Sequence, residues 1–153
     1  MKPNIPSGNR NTLPPQSYNA DDHTPARPET LHIRDLFLFS CYTGIPYGDM
    51  CRLTTEDLEV AEDGEVWIKT ARKKTKIDYE VPLLDIPLLI LDKYRDMAPE
   101  GKLLPMYSNN ELNRTLKRIA AICGIERKLV FHCLRHGEFS FLLKFKYLQF
   151  FAT

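Results

Sequence analysis

The sequence predicts an α+β fold, mostly helical, with a small three-stranded antiparallel sheet. Three observations carry this. Apolar residues cover almost every face of 31–43, the mark of a buried helix. Around 112–123 they recur at helical spacing instead, as an amphipathic helix requires. Between these stretches, two runs of β-branched and aromatic residues alternate with polar ones: Val66, Ile68, Thr70, then Ile77, Tyr79, Val81. A chain of 153 residues suits one domain and can bury a real core.

Residues 1–30 are rich in Pro, Asn, Ser and Asp and read as a disordered arm, because they bury too little apolar surface to order themselves. The helix over 31–43 carries Leu31, Ile33, Leu36, Phe37, Leu38, Phe39 and Tyr42, and Gly44 ends it. A second, short helix is expected over 46–53, since Pro46 at a first helical position forfeits no needed N–H. Thr54-Thr55-Glu56-Asp57 reads as a polar break, 58–60 as a first strand, and Glu62-Asp63-Gly64 as a turn into the hairpin. A helix over 86–97 turns Leu88, Leu89, Leu91 and Tyr94 inward, and Pro99-Glu100-Gly101 closes it. Leu103-Leu104-Pro105 is a short extended piece. Ser108 and Glu111 form a capping box for the next helix, whose stripe is Leu112, Leu116, Ile119, Ala120 and Cys123, with Gly124 as its stop.

The net charge of +1 hides an asymmetry. Up to Ile68, five bases face eleven acids; from Gly101 onward, nine bases face three acids. That split points to a phosphate-facing surface. Cys41, Cys51, Cys123 and Cys133 show no metal-ligand spacing and, with no signal peptide, read as reduced, mostly buried cytosolic thiols. No apolar run is long enough to span a membrane. The expectation is a cytoplasmic protein with no metal, cofactor or small-molecule ligand.

Two stretches carry chemistry. In the hairpin, Lys69, Arg72, Lys73, Lys74 and Lys76 fall within eight positions with no acid among them. Such a tip suits a polyanion, because each cation that neutralises a phosphate releases counterions; it equally suits a solvated turn. In the exposed part of the capped helix, Arg114 and Arg118 form a like-charged i, i+4 pair, mildly unfavourable unless an anion sits nearby, with Lys117 beside them. The second stretch is Phe131-His132-Cys133-Leu134-Arg135-His136. On a helix His132 and Arg135 share a side, where imidazole and guanidinium can grip one phosphate. The bland alternative is a histidine cap and a surface arginine.

Taken together, Asp35-Leu36-Phe37-Leu38-Phe39-Ser40-Cys41-Tyr42-Thr43-Gly44, the hairpin, Val81-Pro82-Leu83-Leu84, Gly124-Ile125 and His132-Cys133-Leu134-Arg135-His136 resemble the catalytic domain of the tyrosine recombinases, the phage integrase family. The likeness is strongest to Bacteroides-type mobile-element integrases. It implies DNA strand cleavage and rejoining through a phosphotyrosyl link, duplex DNA as partner, other recombinase subunits as further partners, and no cofactor. It implies catalytic roles for Lys74, on the hairpin lysine, and for His132 and Arg135, on the His-x-x-Arg motif. It implies DNA contact by Arg72, Lys73, Lys76, Arg114 and Lys117. Register in the basic tip leaves Lys73 and Lys76 as alternatives to Lys74.

Two departures stand out. Pro46 occupies the place of the family's first arginine, and Asp49 that of the acid supporting it; loss of one positioned donor costs about 10²–10³ in rate. After His136 the likeness stops, and Tyr147 lies too close to Arg135 for the family's nucleophile. The expected organisation is therefore an arm at 1–30, a partial catalytic domain at 31–137, incomplete at its C-terminus, and a non-family aromatic tail at 138–153. That tail reads as a strand, a helix, a membrane-surface segment or a frame-altered stretch. The expected function is DNA binding, recombination and integration with impaired catalysis. The alternatives are a non-catalytic DNA-binding or interaction fragment and a small membrane-surface protein.

Overall fold

The computed structural model describes residues 27–122 and Phe131. The elements run α1 (Pro28–Thr43), α2 (Tyr47–Met50), a 3-10 turn (Thr55–Asp57), β1 (Leu58–Val60), β2 (Val66–Ala71), β3 (Asp78–Pro82), α3 (Asp85–Lys93) and α4 (Asn109–Ile122). The strands form one antiparallel sheet in the order β1-β2-β3, as the alternation predicts. Cysteines 41 and 51 are half-buried rather than buried. The arm before Arg27, Cys123, Gly124, the His-x-x-Arg motif, Tyr147 and the aromatic tail lie outside the described residues.

Helix α1 starts before its apolar pattern does, because Pro28 and Glu29 supply a favourable first turn. It ends where expected. Gly44 adopts φ 72°, a left-handed conformation that costs glycine nothing, and its N–H bonds to the Ser40 carbonyl at 2.8 Å. From His32 to Ser40 every residue of α1 is buried, and the helix packs against α3 and α4. Phe37, Phe39, Ile45, Leu53, Ile68, Ile90 and Leu112 complete one continuous core that ties the helices to the sheet.

Three elements differ from expectation. Helix α2 is a single turn rather than a helix over 46–53, with Pro46 as the extended residue before it (φ −72°, ψ 161°). The chain is drawn out of the helix because the Leu53 carbonyl accepts the Leu103 N–H at 3.2 Å and Thr54 bridges to Lys102. The polar break at 54–57 is ordered: both the N–H and the hydroxyl of Thr54 donate to Asp57 Oδ2, at 2.8 and 3.2 Å, closing a capping box over the 3-10 turn. Helix α3 stops at Lys93 rather than Met97. Tyr94 leaves the helix to place its hydroxyl 2.6 Å from Asp35 Oδ2, so Ile90 takes the deepest position and Leu88 is only partly buried. The piece after Lys102 forms no strand of its own, although Leu103 and Leu104 are buried. In α4 the predicted capping box is present, with the Ser108 N–H to Glu111 Oε2 at 3.3 Å and the Glu111 N–H to Ser108 Oγ at 3.3 Å. Leu112, Leu116, Ile119 and Ala120 face the core.

Candidate nucleic-acid interface

The hairpin register decides which of its cations are free. Ile68 pairs with Val81 and Thr70 with Tyr79 on the face toward the domain; Lys69 pairs with Glu80 on the other face. Lys69 therefore meets two acids that the sequence separates from it, Glu59 on β1 at 3.0 Å and Glu80 on β3 at 3.6 Å. The hydrogen bond to Glu59 pushes the Lys69 ammonium up from its ordinary pKa. Its charge is spent within the sheet. The other four cations lie beyond the last paired position. Arg72, Lys73, Lys74 and Lys76 are exposed, and none forms an ion pair among the described residues.

The tip has a defined shape. The Arg72 N–H bonds to the Ile77 carbonyl at 2.9 Å, and the Lys76 N–H bonds back to the Arg72 carbonyl at 2.8 Å. Closing this loop puts Lys76 at φ 60°, a conformation that costs a residue with a Cβ about 1 kcal/mol. The Arg72 guanidinium lies 5.9 Å from the centre of the Tyr79 ring.

The tip is also tied to α2. The buried Asp49 carboxylate accepts the Lys73 N–H at Oδ1 (2.9 Å) and the Tyr79 hydroxyl at Oδ2 (3.2 Å). Burial, and then the Asp49 charge, push the Tyr79 hydroxyl well above its ordinary pKa, so it stays protonated and donates. Sequence reasoning missed Tyr79; its place on the inward face of β3 was the available signal. Tyr47, directly after Pro46, donates its hydroxyl to the Tyr107 carbonyl at 2.9 Å, and burial followed by the adjacent Cys51 thiol pushes it up to about 12. Tyr47 is thus a neutral strut between α2 and the start of α4.

Of the residues singled out from sequence, Lys74, Arg72, Lys73 and Lys76 are brought together in the tip. Arg114 and Lys117 are exposed on the face of α4 opposite its apolar stripe, with Arg118 beside them, and carry no ion pair among the described residues. His132 and Arg135 lie outside the described residues. Phe131, immediately before them, is buried, with its ring edge-on to Tyr47 and Phe37 at 5.8 Å each and its N–H on Asn113 Oδ1 at 2.9 Å. Among the described residues, no group of three His, Cys, Asp or Glu could hold a metal ion, and no helix is long and apolar enough to cross a membrane.

A helical domain whose small antiparallel sheet projects a cationic hairpin beside a tight turn is the class defined here. Residues 15–144 match the phage integrase family, most of the chain, and the chain belongs to that family. The crystal structure of XerA recombinase is similar at 19% identity and a TM-score of 0.48, over 75% of this chain and 48% of that one. The chain thus spans about half the length of that protein, 48% of it. No curated protein matches.

Proposed function

We propose that this chain is the DNA-contacting domain of a site-specific tyrosine recombinase of the Bacteroides mobile-element type, acting in DNA recombination and integration. The observation that carries the reading is the β2–β3 tip. Four exposed cations stand on a loop held in one shape and anchored to α2, while the fifth cation of the same hairpin is neutralised. A merely solvated turn has no need of that division. In this reading Lys74, His132 and Arg135 converge on the scissile phosphate, and Arg72, Lys73, Lys76, Arg114 and Lys117 hold the flanking backbone. The burial of Phe131 against Tyr47 supports it, because the residue before His132 is fixed beside the α2 turn. In this reading the segment 31–137 is a partial catalytic domain.

Pro46 favours a second, narrower statement: catalysis is impaired in this copy. Proline offers no donor to a phosphate, so strand cleavage by this chain alone is weakened, and in this reading it binds DNA beside a complete recombinase subunit. The pure protein is expected to give no covalent adduct with a nicked duplex; an adduct would overturn the impairment.

The test of the main reading is binding to a labelled duplex across a salt series, for the intact chain and for Lys73→Glu/Lys74→Glu. Binding should weaken steeply with salt, and the double variant should lower the slope by about two. A folded, soluble sample that fails to bind at low salt would overturn it.

A further inference from the structure

We propose that Lys73 supplies, across the α2 turn, the phosphate-binding cation that Pro46 does not. The inference rests on the reading of the hairpin as a DNA contact and adds a division of labour among its lysines. Charge-assisted hydrogen bonds are the strong contacts to a phosphodiester, and a cation on each of two facing elements supplies them from both sides. The turn from Pro46 to Asp49 offers none: Pro46, Tyr47 and Gly48 are uncharged, and Asp49 is an acid.

Three observations single out Lys73 from its neighbours. Its N–H is held by Asp49 Oδ1 at 2.9 Å, which fixes the residue against α2. Its side chain runs back over the same turn, since a Cβ built on Gly48 would lie 3.7 Å from Lys73 Cδ. Gly48 is two residues from Pro46 in a turn closed by the Asp49 and Met50 N–H groups on the Pro46 carbonyl, at 3.1 and 2.9 Å. The third observation is the carboxylate itself. Asp49 is 5% exposed, yet its partners, the Lys73 amide and the Tyr79 hydroxyl, are neutral, and it forms no ion pair among the described residues. Those neutral contacts hold the Lys73 backbone without engaging its ammonium, which forms no ion pair among the described residues and is left for a phosphate. The ammonium of Lys73 is carried on the segment this carboxylate already grips, and its stem lies beside Gly48, two residues from Pro46. Lys74 has neither anchor.

The test is a double-variant cycle read as duplex affinity by fluorescence anisotropy at low salt. Intact protein is compared with Lys73→Gln, Pro46→Arg and their combination, and in parallel with Lys74→Gln alone and with Pro46→Arg. Lys73→Gln should weaken binding about tenfold, the size of one charge-assisted contact, and lower the salt slope by about 0.9. Pro46→Arg should restore most of that loss in the Lys73→Gln background and little of it in the Lys74→Gln background. Thermal melts confirm that each variant is folded; Lys73 is exposed, so its truncation leaves the core intact. Equal gains from Pro46→Arg in all three backgrounds would overturn the assignment of Lys73 while leaving duplex binding in place. No binding by the intact chain would overturn both this inference and the function it rests on.

Discussion

Two charged regions of this molecule hold their charges in opposite ways. On α1, Asp35 is fully buried and both of its carboxylate oxygens are bonded. Arg34 approaches Oδ1 through Nε at 3.1 Å and Nη2 at 2.9 Å, while Lys93 Nζ and the Tyr94 hydroxyl approach Oδ2 at 2.8 and 2.6 Å. At the β2–β3 tip, four exposed cations form no ion pair among the described residues. The first region is charge consumed by the fold, joining α1 to α3. The second is charge left exposed on a held loop, the surface proposed above for duplex DNA. Lys69 marks the border, three residues from Arg72 in the same hairpin but paired on both sides. Cation density alone therefore does not separate a candidate interface from a neutralised surface; pairing within the sheet does.

The largest effect expected from breaking this contrast is on the buried side. Asp35→Ala leaves the Arg34 guanidinium buried without its carboxylate, and a urea melt should show a loss of about 3–5 kcal/mol. If the melt moves by less than about 1 kcal/mol, Asp35 is not the joint between α1 and α3. Next comes the residue that ties the tip to α2. Asp49→Ala removes two hydrogen bonds and should cost about 2 kcal/mol, with the heaviest rise in amide exchange at Lys73 and in the tip. Uniform exchange changes would deny the tether.

A smaller effect belongs to His32, stacked on Tyr94 at 4.3 Å and sharing a hydrogen bond with the Tyr107 hydroxyl at 3.1 Å. Burial pushes its pKa below 6.5; Asp35 and the Pro105 carbonyl oppose this, and Lys93 adds to it. A histidine depressed in the folded state binds its proton more readily unfolded. Its contribution is fully present above the unfolded pKa of about 6.5 and is lost as pH falls through and below that value. His32→Gln should flatten the decline in melting temperature between pH 7 and pH 5; an unchanged decline would assign it to other groups. Smallest of all is Lys69→Gln. Because this pair is exposed and screened, the melting temperature should stay put and duplex affinity should hardly change. A loss matching that of Lys73→Gln would erase the distinction drawn along the hairpin.

Much of this was legible in the sequence, and the illegible part has a common cause. Gly44 as a helix stop, Ser108 with Glu111 as a cap and the alternation of Ile68, Thr70, Tyr79 and Val81 are local signals, and each element formed where they stand. Asp35 sits in an apolar run, and its partners Lys93 and Tyr94 are 58 and 59 residues away. Helix α3 is short for the same reason: nothing near Tyr94 in the chain announces a distant carboxylate. The Thr54–Asp57 capping box was local and readable, but its polar composition reads equally as a break. In the tip, composition revealed the cations, but only the register showed that Lys69 is neutralised and only the α2 contact set Lys73 apart from Lys74.

The anchored tip also has a consequence for proteolysis. Arg72, Lys73 and Lys74 form an exposed loop of the kind trypsin nicks first, and a cut there severs the chain between two strands that stay paired along Val66–Ala71 and Asp78–Pro82. The two pieces would remain one folded particle held by the sheet and the core. Nicked protein thus separates the scaffold from the loop without a mutation, and the time a bound duplex delays the cut reads out how much of the tip it covers.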